Sequence, residues 1–150
     1  IHCDEGRKLV ESAAVVRDSG LEILAVTVLT SLAEADLPRL GFKDLSLKQL
    51  VLDRATLAKE SGCAGIVCSG KEIATIRKHC GPDLKIVVPG IRPAWQDVRQ
   101  DDQSRIVTPA DAIRDGADYI VVGRPIRDAK TPRDAAQRIN EEIQSALERK

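Results

Sequence analysis

The feature that most constrains the fold is an alternation of short, β-branched apolar runs with longer amphipathic stretches. The apolar runs are residues 23–28, 64–68, 85–88 and 119–122. None of them alternates cleanly between polar and apolar residues, which is typical of strands buried on both faces of a parallel sheet. Each run follows a glycine that can end a helix, and these glycines are Gly20, Gly62, Gly81 and Gly116. The repeated order of helix, glycine and strand predicts a series of βα units.

Between the runs, apolar residues recur at three- and four-residue steps, which predicts amphipathic helices. Thr108-Pro109 and Thr131-Pro132 mark two helix starts, because Thr can cap the first turn and Pro fits there without losing a hydrogen bond. The predicted helices are residues 7–18, 33–38, 47–61, 71–79, 109–115 and 132–148. Ile1-His2-Cys3 has the character of the last residues of a further strand.

Four βα units and a strand remnant correspond to about half of a (β/α)8 barrel, whose usual length is ~250 residues. The predicted fold is therefore α/β of the TIM (β/α)8 barrel type, with residues 1–150 as a single domain from the C-terminal portion of the barrel. A small doubly wound sheet is the rival architecture, although neither a GxGxxG nor a GxxxxGK[ST] element follows a strand. The chain contains no Met and opens on a strand-like segment, so we expect it to belong to a longer protein.

Charge and composition argue against several classes of partner. Lys and Arg together number 23, as do Asp and Glu, so the formal net charge is zero, and the basic residues are scattered along the chain. Such a chain offers no electrostatic footprint for nucleic acid or for an acidic membrane surface. No apolar run approaches the length that a bilayer-spanning helix needs. We therefore expect a soluble, cytoplasmic protein that binds neither nucleic acid nor membrane.

The four cysteines are expected to be buried or idle thiols in a reducing compartment. Cys63 and Cys68 would lie on one strand with their side chains on opposite faces, so they could not form a disulfide with each other. The less favoured alternative is a zinc site formed by Cys63, Cys68, His79 and Cys80. Its spacing contains no CxxC pair and falls across a strand and a helix.

Two glycine-arginine turns follow the last two predicted strands, at Gly90-Ile91-Arg92 and at Gly123-Arg124-Pro125. Glycine lets the backbone approach a ligand closely, and an arginine beside it can hold a phosphate through two charge-assisted hydrogen bonds. In phosphate-binding (β/α)8 enzymes the anion lies against these two loops. We therefore predict phosphate binding here, with Arg124 as the strongest candidate. Loop 89–108, which carries Trp95, is long enough to act as a lid over a ligand.

Five motifs together resemble one enzyme family. In chain order they are AVTVLTS at 25–31, GIVCS at 65–69, VPGIRP at 88–93, DQSRIVTP at 102–109 and ADYIVVGRPI at 117–126. This set is similar to the C-terminal half of orotidine 5′-phosphate decarboxylase, a (β/α)8 enzyme, and covers nearly the whole chain. The resemblance implies decarboxylation of orotidine 5′-monophosphate to UMP in pyrimidine biosynthesis, by a homodimer that uses no cofactor and no metal.

The resemblance also implies roles for particular positions. The substrate-binding positions are Thr30, Arg92, Gln103, Gly123 and Arg124. Thr30 would contact the pyrimidine ring, and Arg124 would hold the phosphate. Gln103 would span from the phosphate toward the base, with Gln100 as the alternative because the stretch from Arg92 to Gln103 is longer than is usual in the family.

The family's catalytic Asp-x-Lys-x-x-Asp motif has no counterpart in these residues. Two segments begin like it, at Asp83 and Asp128, but they end in Val88 and Arg133. The resemblance therefore implies that this segment supplies substrate binding and is inactive by itself, with no catalytic residue assigned. Two alternatives stay open, namely a related sugar-phosphate decarboxylase or aldolase on the same barrel, and a non-catalytic phosphate-binding module.

Overall fold

The computed structural model describes residues 1–95 and 105–148. Its sheet contains strands β1 (Leu24–Val26), β2 (Gly65–Val67), β3 (Lys85–Val88) and β4 (Tyr119–Ile120), which neighbour one another in chain order. All the strand pairs are parallel, with Ala25 opposite Ile66 and Ile66 opposite Ile86. The predicted parallel βα architecture is confirmed, and every observed strand falls within a predicted one.

The α-helices in the described residues are α1 (Arg7–Ala14), α2 (Leu47–Glu60), α3 (Ile73–Cys80), α4 (Pro109–Asp115), α5 (Arg124–Arg127) and α6 (Pro132–Glu148). Shorter 3-10 helices cover Cys3–Glu5, Val15–Ser19, Glu34–Leu40 and Gly70–Glu72. Within residues 1–95 and 105–148, no helix combines the length and apolar character needed to cross a bilayer.

The helix predicted over 33–38 is the 3-10 helix Glu34–Leu40, and the one predicted over 71–79 begins within the 3-10 helix Gly70–Glu72 and continues as α3. Two other helices also differ from the prediction. The helix predicted over 7–18 ends at Ala14 and continues as a 3-10 helix, because Val15 and Val16 are β-branched and exposed, so no packing offsets their low helix propensity. Helix α5 was not predicted, since Gly123-Arg124-Pro125 was interpreted as a turn. Pro125 lies in its first turn, where a missing N–H costs no helical hydrogen bond.

The predicted helix ends are confirmed by their backbone geometry. Gly81 and Gly116 end α3 and α4 with φ values of 80° and 105°, a region that residues with a side chain rarely adopt. Thr108 caps α4 by accepting a hydrogen bond from the Asp111 N–H at 3.1 Å. At the start of α6, the Thr131 carbonyl accepts the first helical hydrogen bond, from Ala135, at 3.1 Å.

The first residues extend the sheet beyond β1. His2 forms an isolated parallel bridge with Val26, and the Ile1 carbonyl accepts a hydrogen bond from the Val26 N–H at 2.8 Å. The prediction of strand character is confirmed for Ile1 and His2, whereas Cys3 already belongs to a 3-10 helix.

The two faces of the sheet have different surroundings. One face carries the buried residues Ala25, Ile66, Ile86 and Val88, which pack in one hydrophobic cluster with residues of α2 and α3. Side chains alternate along a strand, so Leu24, Val87 and Tyr119 point to the other face. There Tyr119 is 55% exposed and Val121 is 52% exposed. The described residues thus leave this second face, which we call the open sheet face, uncovered at β4, whereas Val87 of β3 is only 9% exposed.

Candidate functional site

Because the strands are parallel, the loops that follow them meet at one edge of the sheet. Among the described residues these loops are 27–31, 68–72, 89–95 and 121–124. The edge carries four of the predicted site residues, which are Thr30, Arg92, Gly123 and Arg124. Gln103 and its alternative Gln100 lie outside the described residues.

The loop after β1 is held by arginines that bind its backbone carbonyl groups. Arg54 of α2 donates from Nη1 to the Thr27 carbonyl at 2.6 Å. Arg105 donates from Nη2 to the Leu29 carbonyl at 2.7 Å. Thr30 follows directly and is half-buried. Its position is therefore set by contacts from two distant parts of the chain.

Arg92, which follows β3, is 6% exposed. Its Nη1 donates to the Ile91 carbonyl at 2.8 Å, and its backbone N–H donates to the Val107 carbonyl at 2.9 Å. Ile91 and Val107 also form an isolated parallel bridge, so the two ends of the predicted loop 89–108 are joined. Burial and these hydrogen bonds fix the position of Arg92 on the sheet edge.

Trp95 lies at the last described position before residue 105 and contacts helix α6. The guanidinium carbon of Arg138 lies 4.3 Å from the Trp95 ring centroid, a cation–π arrangement. The remainder of the predicted lid, residues 96–104, lies outside the described residues.

Gly123 and Arg124 form the start of α5, after β4. The Gly123 carbonyl accepts hydrogen bonds from the N–H groups of Ile126 and Arg127, both at 3.0 Å. Arg124 is half-buried. A hydrogen bond from Arg127, with a smaller contribution from the charge of Arg124, lowers the pKa of Asp128. The Arg127 guanidinium is therefore ion-paired with the Asp128 carboxylate.

A buried polar network at this edge was not predicted from the sequence. Arg105 donates from Nη1 to Glu72 Oε1 at 3.0 Å, and these side chains are 5% and 9% exposed. The Ser69 hydroxyl donates to Glu72 Oε2. We call Ser69, Glu72 and Arg105 the Arg105 network. Arg105 belongs to the Asp-Gln-x-Arg pattern, but 33 residues separate it from Glu72, so neither periodicity nor spacing links the two.

A cavity of about 470 Å³ opens beside the Arg105 network. Its lining includes the cations Lys48, Lys71 and Arg105 and the carboxylates Glu34 and Glu72. None of the predicted site residues at the described sheet edge lines it. The cavity therefore carries charges of both signs and lies apart from the predicted site residues.

The cysteines are confirmed as buried, free thiols. Burial raises the pKa of all four, to about 11 for Cys3 and to about 12 for Cys68. Thiols with a raised pKa are poor nucleophiles and poor metal ligands at neutral pH. The prediction that Cys63 and Cys68 lie on one strand is wrong, because β2 covers only Gly65–Val67 between them. Within the described residues, no cluster of three or more His, Cys, Asp or Glu side chains could hold a metal ion.

The segment Asp83-Leu84-Lys85 lies at the opposite end of the sheet. Lys85 is the first residue of β3 and forms an ion pair with Glu22. Its hydrogen bond to Glu22 raises the pKa of Lys85. This lysine therefore lies away from the edge that carries the predicted site.

The two arginines predicted to bind phosphate both lie at this edge. Arg92 and Arg124 each stand four residues beyond the end of the adjacent strands β3 and β4. Guanidinium groups bind phosphate oxygens through paired, charge-assisted hydrogen bonds. Thr30, which is half-buried, follows β1 at the same edge, two strands away from β3 and three away from β4.

Comparison with known proteins gives concordant matches. The family model described as "Orotidine 5'-phosphate decarboxylase / HUMPS family" matches residues 1–139. The chain is 50% identical over 142 residues to orotidine 5′-phosphate decarboxylase of Methylococcus capsulatus, covering 95% of this chain and 58% of that protein. It is 52% identical over 140 residues to the protein of the same name from Methylobacterium nodulans, and this match covers 93% of this chain and 58% of that protein. The chain thus spans 58% of the length of each of these relatives.

Solved structures agree with the fold. The crystal structure of orotidine 5′-phosphate decarboxylase from Lactobacillus acidophilus matches with a TM-score of 0.78 and 33% identity, covering 95% of this chain and 61% of that one. The structure of the Pyrococcus horikoshii enzyme matches with a TM-score of 0.66 and 27% identity, covering 95% and 59%. The four parallel strands therefore correspond to part of a TIM (β/α)8 barrel.

Proposed function

The chain belongs to the orotidine 5′-phosphate decarboxylase / HUMPS family, and from this premise we propose that it supplies the phosphate- and pyrimidine-binding part of an orotidine 5′-monophosphate decarboxylase. The observation that carries the proposal is the 50% identity over 142 residues to a relative of that name. The described residues lend support, because Thr30, Arg92 and Arg124 all follow strands at the same edge of the parallel sheet, and guanidinium groups bind phosphate oxygens well.

Within this proposal each predicted residue has one task. Arg124 holds the phosphate, with the backbone of Gly123 close to it and Arg92 in the loop after the neighbouring strand β3. Thr30 contacts the pyrimidine ring from the loop after β1. Gln103, or alternatively Gln100, spans from the phosphate toward the base. Phosphate contacts remote from the reacting carbon assist the reaction because their binding energy can hold a closed, water-excluding site around the transition state.

The proposed reaction releases carbon dioxide from orotidine 5′-monophosphate and leaves UMP, without cofactor or metal. The lysine that protonates C6 belongs to the Asp-x-Lys-x-x-Asp motif, which these residues do not contain. We further propose that the 150 residues act as a single domain, and that the enzyme works as a cytoplasmic homodimer. None of the reported matches favours the sugar-phosphate enzyme or the non-catalytic module considered from the sequence.

The test is a decarboxylation assay on the complete protein that contains this chain. We expect the absorbance of the orotate ring to fall as UMP forms, at the same rate with and without a metal chelator. A purified polypeptide of residues 1–150 serves as the comparison and should give no turnover, because it lacks the lysine motif. A complete protein that neither converts the substrate nor binds UMP would exclude the proposed function.

A further inference from the structure

We propose that the Arg105 network is a positioning element. It fixes the loop after β1, which carries the pyrimidine-contacting Thr30, in its place relative to the phosphate-binding residues of the nucleotide site. This inference rests on the proposed function, because it assigns the network a role in placing Thr30 against the base. Arg105 and Glu72 are positioning residues here, since they act through the loops that they hold.

The contacts of Arg105 join three loops at one point. Its Nη2 donates to the carbonyl of Leu29, the residue directly before Thr30, at 2.7 Å. Its Nη1 donates to Glu72 Oε1 in the segment after β2 at 3.0 Å. Arg105 itself stands two residues after Gln103 in the loop that follows β3. One side chain therefore connects the loop that carries Thr30 with the segment that carries the bridging glutamine.

The chemistry of this connection requires arginine and a carboxylate. A guanidinium is planar and carries donors in a fixed fork, so it can donate to the Leu29 carbonyl and to Glu72 at once. Both oxygens of Glu72 are used, Oε1 by Arg105 and Oε2 by the Ser69 hydroxyl. At 5% and 9% exposure the ion pair is largely removed from water, where loss of one partner leaves a buried charge without compensation.

The phosphate side of the site is held by other contacts. The backbone N–H of Arg92 donates to the Val107 carbonyl, and Ile91 bridges Val107, without use of the Arg105 side chain. Gly70, which stands between Ser69 and Glu72, packs so closely on the Val107 side chain that a Cβ at this position would overlap it. This is a backbone contact, which substitution of the Arg105 or Glu72 side chain does not remove. Arg124 lies on α5, which the network does not contact through any described hydrogen bond. A change in the network should therefore displace Thr30 and leave the phosphate contacts of Arg92 and Arg124 in place.

The test compares two ligands on the complete protein. UMP engages both the base and the phosphate contacts, whereas ribose 5-phosphate engages only the phosphate side. We expect Arg105→Lys to weaken UMP binding about tenfold and ribose 5-phosphate binding less than about twofold, measured by calorimetric titration. Glu72→Gln is the second variant. It keeps the shape of the side chain and removes its charge, so it reports on the network even where Arg105→Lys fails to fold.

Arg77→Lys is the matched control. Arg77 also donates several hydrogen bonds, to the carbonyl groups of Gly116, Gly81 and Leu84 among others, but at the opposite end of the strands. It should lower thermal stability without changing the ratio of the two affinities. Equal loss of both ligands in Arg105→Lys and Glu72→Gln, or the same selective loss in Arg77→Lys, would overturn the positioning role. A wild-type protein that binds no UMP would instead overturn the proposed function and this inference with it.

Discussion

At the scale of single residues, the most direct prediction concerns Arg124. Arg124→Ala in the complete protein should weaken UMP binding by roughly 1.5–3 kcal/mol for each charged hydrogen bond to phosphate that is lost. Arg127→Ala is the matched control, because Arg127 lies on the same turn of α5 but pairs with Asp128. Calorimetric titration with UMP measures both variants. Wild-type affinity in Arg124→Ala would contradict the assignment of the phosphate site.

A second residue-scale prediction concerns alkaline pH. Burial, followed by the nearby charge of Glu72, raises the pKa of Cys68 from 9.0 to about 12. Unfolding lets this thiol ionise once the pH exceeds 9.0. Its contribution to stability is therefore fully present below that pH and falls as the pH rises toward about 12, by about 1.4 kcal/mol per pH unit.

Cys68→Ala isolates this effect from the other groups that titrate at alkaline pH. We expect the free energy of unfolding in urea to fall less steeply in the variant than in the wild type between about pH 8 and pH 10. Identical slopes in the two proteins would show that burial does not raise the pKa of Cys68.

At the scale of secondary-structure elements, the start of α4 offers a clear prediction. The Thr108 hydroxyl accepts the Asp111 N–H at 3.1 Å, and α4 packs on α6, where Glu142 accepts the Ala110 N–H at 3.2 Å. Thr108→Ala should destabilise the protein by about 1 kcal/mol in urea unfolding, because a capping hydrogen bond is lost. Thr108→Ser keeps the hydroxyl and should lose less. An equal loss in both variants would mean that the methyl group of Thr108, not its cap, stabilises the helix.

The secondary-structure elements also show which parts of the fold can be predicted from the sequence and which cannot. Strand positions and the ends of α3 and α4 were predictable, because apolar runs and glycines such as Gly81 and Gly116 act locally. Helix α5 was missed, since Gly123-Arg124-Pro125 is equally typical of a turn. The Arg105 network was missed because Glu72 and Arg105 meet only through the fold. That Thr30 and Arg124 follow β1 and β4 was predictable, whereas the near-complete burial of Arg92 was not.

At the scale of the whole molecule, the open sheet face predicts how residues 1–150 behave as a separate polypeptide. Tyr119 and Val121 are each more than half exposed on this face, next to Leu24 and Val87 in one groove whose border is formed by the Glu22–Lys85 ion pair. Contiguous apolar surface of this kind favours association. We expect the polypeptide to elute as oligomers in size-exclusion chromatography with light scattering.

Charged substitutions can test whether the open sheet face, and not another part of the surface, causes this association. Tyr119→Lys combined with Val121→Lys should shift the polypeptide toward monomer. Leu147→Lys is the control, because Leu147 is similarly exposed, at 49%, but lies on α6. Oligomers that persist in the double variant, or that disappear in the control, would assign the association to another surface.

The contact between Trp95 and Arg138 gives the chain a built-in spectroscopic reporter. Trp95 is the only tryptophan in the sequence, and it lies next to the segment that carries Gln100 and Gln103. Its indole is partly exposed and has a cationic guanidinium 4.3 Å from the ring centroid. Selective excitation of tryptophan in residues 1–150 therefore reads a single position at the border of the proposed nucleotide site. A change in its emission on adding ligand reports events in that loop, free of signal from any other indole of this segment.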